Sequence, residues 1–77
     1  MLIEVFGPGC AKCQTLEKNV RQAVEQAGGE HQVVKISDYA GMAARGILST
    51  PALALDGQLK FQGKVAGPAE ILALLKG

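Results

Sequence analysis

A Gly-Pro-Gly triplet at positions 7–9 separates a short apolar segment from a long amphipathic one. Residues 2–6 are rich in types that favour strands, and the glycines and proline end that run at once. From residue 11 to residue 27 apolar side chains recur at helical spacing, and a pair of glycines follows as a C-terminal cap would. The sequence therefore predicts a strand that turns sharply into a long helix, which begins at Cys10 or Ala11.

Four further segments carry secondary-structure patterns: a strand at 32–36, a short helix at about 39–45, and strands at 52–55 and 59–62. Ser37 or Asp38 can cap the short helix. Asp56-Gly57 between the last two strands is a strong hairpin signal. Gly67-Pro68 opens a final helix, because proline suits the first helical turn.

The predicted element order is β-α-β-α-β-β-α. Two strands joined through a helix are expected to be parallel with a right-handed crossover, and the last two form an antiparallel hairpin. This order predicts an α/β fold, a four-stranded mixed sheet with helices on both faces. With 77 residues the chain is expected to form a single domain, residues 1–77, around one modest core.

The charge balance argues against several classes of partner. Lys and Arg total 8 and Asp and Glu total 7, so a net charge of +1 gives no footprint for nucleic acid or an anionic membrane. Apolar runs are too short for a membrane span, and the first residues lack a signal-peptide pattern. We therefore expect a cytoplasmic protein, by default a monomer, in which closely spaced cysteines are catalytic or metal-binding.

The two cysteines, Cys10 and Cys13, are three residues apart and would share one helix face. Cys10 falls where the chain turns from strand to helix, so its sulfur would meet the unpaired N–H groups of the first turn and the positive end of the helix dipole. Both favour the nucleophilic thiolate. Cys13, one turn further, is expected to be more buried and to resolve a mixed disulfide, while Lys12 adds a solvated positive charge.

The triplet before Cys10 fits an exposed, reactive sulfur. Gly7 and Gly9 are expected to let the backbone bend and to leave Cys10 without bulky neighbours. Pro8 limits the entropy of that bend.

The stretch FGPGCAKC after the first strand, STPAL at 49–53 before the third, and the Asp56-Gly57 hairpin together resemble the thioredoxin superfamily. The resemblance is to its small thioredoxin/glutaredoxin-like members, the redox-active disulfide proteins, and it spans essentially the whole chain. It implies a cis peptide bond at Thr50–Pro51, packed against the cysteines and used to dock an extended substrate segment. The expected docking residues are Gly9, Lys12, Thr50 and Pro51.

Two departures from the family patterns bear on the partner. Gly9 stands where thioredoxins place an aromatic residue, and Ala11-Lys12 replaces their Gly-Pro. Residues 62–68 lack the acidic residue with which glutaredoxins meet the glutathione amine. An unidentified reductase or glutathione therefore remains open as the electron source, with disulfide-containing proteins as substrates.

Glu4 lies six positions before Cys10, where thioredoxins keep a buried acid that assists proton transfer at the second cysteine. The resemblance implies the same role for Glu4. A central strand is buried on both faces, which makes an acid there costly unless it is paired or protonated. The alternative is an ordinary exposed strand residue.

Other side chains have plainer interpretations. His31 is expected at the surface, Met42 and Tyr39 are expected to pack beneath the short helix, and Lys60 and Lys64 are expected to form a solvated sheet edge.

Three functions compete. The first is a thiol–disulfide oxidoreductase that needs no cofactor. The second is a copper(I)-binding, chaperone-like module that uses the same two thiolates, although such domains run β-α-β-β-α-β and carry Met where this chain has Pro8. Zinc would need four ligands and therefore a dimer, so no metal site is predicted within one chain. The third is a non-catalytic binding domain.

Overall fold

A computed structural model of the chain describes residues 1–9 and 11–76. The elements are β1 (Leu2–Phe6), α1 (Ala11–Ala27), β2 (Gln32–Ile36), α2 (Tyr39–Ala44), β3 (Ala52–Leu55), β4 (Gln58–Gln62) and α3 (Pro68–Lys76). The predicted order and fold class are confirmed. The short helix ends one residue earlier than predicted, and the last strand begins one residue earlier.

The sheet has the strand order β2-β1-β3-β4. β1 pairs with β2 in parallel, and the other two neighbouring pairs are antiparallel. Phe6 at the end of β1 lies opposite Ile36, the end of β2, and opposite Ala52, the start of β3. We call this border, where β1 and β2 end and β3 begins, the Phe6 edge.

Successive side chains along each strand point to opposite faces of the sheet. Apolar side chains therefore lie on both faces, and helices cover both. α1 and α3 cover one face, and the buried cluster there is Ile3, Val5, Leu16, Val20, Ala23, Leu53, Leu55, Ala66 and Ile71. The α2 face holds a smaller cluster of Phe6, Met42, Ile47, Ala52 and Ala54. The central strand β1 therefore contributes to two cores.

The hairpin turn and the ends of the short helix lie where the sequence predicts them. Asp56 and Gly57 have φ values of 50° and 85°, the left-handed pair that a tight hairpin turn requires. Asp38 caps α2, its side chain accepting a hydrogen bond of 2.8 Å from the Gly41 N–H. Gly46, with φ 74°, ends the same helix.

The expectation for the short helix was half right. Met42 is the buried residue of α2, whereas Tyr39 is 74% exposed, so its predicted packing role is wrong. The helix has six residues and presents a single side chain to the core, which leaves its first residue in solvent. No helix in the described ranges is long and apolar enough to cross a membrane.

Candidate active site

Cys13 lies in the first turn of α1 and is 1% exposed. Leu16 and Val20, further along the same helical stripe, hold α1 on the sheet. Their packing turns the Cys13 side chain toward the Phe6 edge, where β1 ends. Cys10, the predicted nucleophile, falls outside the residues that the structure describes.

Gly7 lies directly beside Cys13. A Cβ at position 7 would come within 2.8 Å of Cys13 Cβ, and closer still to Cys13 Sγ. Gly7 is buried, and its N–H donates a hydrogen bond of 2.9 Å to the Ile36 carbonyl, which extends the pairing of β1 with β2. Its φ is outside the left-handed region. Gly7 therefore does not use a backbone conformation reserved for glycine, and what the position requires is space beside the thiol.

Gly9 has the conformational role that was predicted for both glycines. Its φ is 92°, and a Cβ there would meet no atom of the described residues within 4 Å. The Gln14 side-chain amide donates a hydrogen bond of 3.2 Å to the Gly9 carbonyl, which ties the loop to the first turns of α1. Lys12, also in that first turn, is exposed.

The Thr50–Pro51 peptide bond is cis. Pro51 is buried and Thr50 is exposed. Because Phe6 lies opposite Ala52 in the antiparallel register, the next pair along would be Gly7 and Pro51. The loop that ends at Pro51 and the Cys13 thiol therefore both lie next to Gly7, at the Phe6 edge.

Gln62 fixes the loop that leads to Pro51. Its Oε1 accepts hydrogen bonds from the backbone N–H groups of Leu48 and Ser49, at 2.7 and 3.0 Å. Just after Gln62, the Gly63 N–H donates to the Pro51 carbonyl at 2.9 Å. The end of β4 thus holds the loop of residues 48–51 at its start and at Pro51.

Glu4 is a buried acid with a cationic partner. It is 4% exposed, and its Oε2 accepts a short hydrogen bond from Arg45 Nη2, while Oε1 finds no hydrogen-bond partner among the described residues. The Arg45 guanidinium also lies 5.7 Å from the centre of the Phe6 ring. Glu4 therefore faces α2, whereas α1, which carries Cys13, packs on the other side of the sheet.

Three contributions to this site were missing from the sequence analysis: Arg45 as the partner of Glu4, Gln62 as the clamp of the Pro51 loop, and Gly7 as the space beside Cys13. A buried acid signals that a cation is needed, but it does not say which one. His31, predicted at the surface, is half-buried, and its Nε2 lies 2.9 Å from the Gly28 carbonyl.

Among the described residues, no group of three or more His, Cys, Asp or Glu side chains comes together that could hold a metal ion. What the Phe6 edge does assemble is a buried cysteine at the start of a helix and an X-Pro loop beside it. A four-stranded mixed sheet with these features is a thioredoxin-like fold.

Comparison with known proteins agrees with this class. The family model described as "Thioredoxin domain" matches residues 1–76. A protein named thioredoxin from Methanothermobacter thermautotrophicus is 43% identical over 75 residues, which cover 97% of each chain. Another protein named thioredoxin, from Methanocaldococcus jannaschii, is 37% identical over 76 residues, 99% of this chain and 87% of that one. The chain belongs to the thioredoxin-domain family, and it is a thiol–disulfide oxidoreductase.

Proposed function

We propose that the chain reduces disulfides through Cys10 and Cys13. The Cys10 thiolate attacks one sulfur of a substrate disulfide, and the other substrate sulfur leaves as a thiolate. Cys13 then attacks Cys10, releases the second substrate thiolate and leaves an intramolecular disulfide. The substrate gains two electrons and the protein loses two. The observation that carries this proposal is the burial of Cys13 in the first turn of α1, against the end of β1.

The docking surface proposed here consists of Gly9, Lys12, Thr50 and Pro51. Lys12 and Thr50 are exposed, and Gly9 leaves open space above its backbone. An extended segment of a disulfide-containing protein can reach the cysteines across such a surface. We propose that the 77 residues act as a single domain and as a monomer in the cytoplasm, with a reductase or glutathione as electron source.

Glu4 is proposed to assist proton transfer at Cys13. Its carboxylate is buried, and one of its oxygens is free of partners among the described residues. Because Glu4 faces α2 and Cys13 belongs to α1, a proton passing between them needs a mediator such as a water molecule at the Phe6 edge.

The test is to trap the intermediate. A Cys13→Ser variant cannot resolve the mixed disulfide, so it is expected to remain covalently bound to an oxidised protein such as insulin until dithiothreitol is added. The matched Cys10→Ser variant is expected to trap nothing. Equal trapping by both variants, or by neither, would contradict the assigned roles.

The copper(I) alternative is tested with the same variants. Competition between the reduced chain and a copper(I) chelator reports the affinity. Tight binding that requires both cysteines, in a chain that exchanges no disulfide, would replace the redox proposal with a copper-binding one.

A further inference from the structure

The contact between Gly7 and Cys13 leaves no room for a side chain at position 7. The built Cβ lies 2.8 Å from Cys13 Cβ, and closer to Sγ. Non-bonded carbon atoms settle at about 3.5–4.0 Å. The Cys13 thiol therefore fills the volume that any side chain at position 7 would need.

The backbone on which the thiol rests is held in place. The Gly7 N–H donates to the Ile36 carbonyl at 2.9 Å, one step beyond the last paired residue of β1. Phe6, the preceding residue, is fully buried. Gly7 cannot move away from Cys13 without breaking its hydrogen bond to Ile36, which ends the pairing of β1 with β2.

The position of the Cys13 side chain is also restricted by its own helix, α1. Its helix is held by the buried side chains of Leu16 and Val20. Helical side chains use mainly two χ1 rotamers, so rotation offers Sγ few other positions. Rotation would also leave the close approach between the two Cβ atoms unchanged.

We propose that Gly7 is a positioning residue for the resolving thiol. Its bare Cα sets where the Cys13 sulfur lies, and thereby the rate at which Cys13 attacks the mixed disulfide. The inference rests on the roles of Cys10 and Cys13 proposed above. In that step the Cys13 thiolate forms a bond to Cys10 Sγ, the bond between Cys10 and the substrate breaks, and the substrate thiolate leaves with the electron pair. The Cys13 proton leaves with the assistance proposed above for Glu4 and ends in solvent.

A single reagent separates the two steps. The reduced protein is mixed with an equimolar amount of 5,5′-dithiobis(2-nitrobenzoate) in a stopped-flow spectrometer. Attack by Cys10 releases the first thionitrobenzoate in a bimolecular phase, and resolution by Cys13 releases the second in an intramolecular phase. Only the second phase depends on the position of the Cys13 sulfur.

Gly7→Ala is expected to keep the first phase within about 3-fold of the wild-type rate and to slow the second by about 10- to 100-fold, since misplacement by 1 Å costs up to about 100-fold. The control is Gly67→Ala, because a Cβ at this exposed position meets no described atom within 4 Å. It is expected to leave both phases unchanged.

The outcomes separate the inference from the function on which it rests. A wild-type protein that releases no second thionitrobenzoate would overturn the proposed roles of the cysteines, whatever position 7 does. A wild-type protein with both phases, and a Gly7→Ala variant with the same two rates, would overturn the role of Gly7 alone.

A stability measurement covers the case in which Gly7→Ala folds too weakly for the kinetic assay. Cys13→Ala removes Sγ, the atom nearest to the added methyl group. Cys13→Ala is therefore expected to lower the urea midpoint less in the Gly7→Ala variant than in the wild type. Equal losses in the two backgrounds would show that the two positions are not coupled and would contradict the inference.

Discussion

Arg45 reaches from the end of α2 to the carboxylate of Glu4 on the central strand, across 41 residues of sequence. The Arg45 side chain is 41% exposed and the Glu4 side chain is 6% exposed. The cation thus stays partly in water while its partner is buried. This arrangement offsets the desolvation of Glu4 without burying a second charge completely.

Removal of the cation is expected to destabilise the fold. Arg45→Gln leaves the Glu4 carboxylate buried without its counterion, and we expect the free energy of unfolding to fall by about 2 kcal/mol, between the values for exposed and buried pairs. Urea denaturation at neutral pH measures the change. Arg21→Gln, which breaks an exposed pair with Glu17 one helical turn away, is the matched control and is expected to cost less than about 0.5 kcal/mol. Equal losses in the two variants would show that Glu4 does not need Arg45.

Glu4→Gln is expected to act on the reaction rather than on the fold. The amide cannot accept and return a proton, so disulfide exchange is expected to slow by about 10-fold or more and to change its pH dependence, as for the loss of a general acid–base group. The measurement is the rate of insulin reduction against pH. Glu25→Gln replaces an exposed acid of α1 and serves as the control. An unchanged rate profile for Glu4→Gln would remove Glu4 from the mechanism.

Gln62→Ala is expected to loosen the loop before Pro51. Two backbone N–H groups, those of Leu48 and Ser49, lose their common acceptor. Because a hydrogen bond contributes about 0.5–1.5 kcal/mol, amide hydrogen exchange at both residues is expected to accelerate by about 2- to 10-fold. Gln62→Glu retains an acceptor oxygen and is expected to preserve protection. Equal exchange in Gln62→Ala and the wild type would show that the clamp is not formed in solution.

The surface pairs of Glu17 predict a pH-dependent contribution to stability. The hydrogen bond from Arg21 is the main cause that holds the pKa of the Glu17 carboxyl below its usual value of 4.5; burial opposes it, and Lys35 lowers the pKa further. A lowered folded-state pKa stabilises the fold above the unfolded value, and the stabilisation is lost as pH falls through the folded value.

Glu17→Gln is therefore expected to lower the free energy of unfolding at pH 7 by less than about 1 kcal/mol, as for other exposed pairs. The difference from the wild type is expected to shrink as pH falls through the lowered pKa of Glu17, below 4.5. Urea midpoints at pH 7 and at successively lower pH check both statements. A difference that persists unchanged at the lower pH would exclude the ion pairs as its cause.

The elements of the fold were predictable because their signals are local. The triplet at 7–9, the helical stripe after it and the Asp56-Gly57 turn each specify a conformation within a few residues. Tyr39 shows the limit of such signals, since it lies at helical spacing from Met42 and yet is exposed. Whether a side chain at the end of a six-residue helix meets the core depends on the sheet beneath it.

In the candidate site, the burial of Cys13 and the cis bond before Pro51 were expected from the sequence and its family resemblance, whereas the residues that support them were not. Arg45 is one of 8 basic residues, and only the folded chain selects it as the partner of Glu4. Gln62 carries no signal, because a polar residue at the end of an edge strand is ordinary. Gly7 was given a conformational role because it lies in a bend-rich loop, and its contact with Cys13 exists only once α1 is packed.

The central claim is that Cys10 and Cys13 form one redox couple, and a redox titration tests it most directly. The protein is equilibrated in dithiothreitol buffers of stepped potential with metal excluded, free thiols are trapped by alkylation, and the labelled cysteines are counted by mass. The chain has two cysteines, so we predict one reversible two-electron transition between no label and two labels, with Cys10 labelled first at neutral pH. Two labels at every potential would contradict the account.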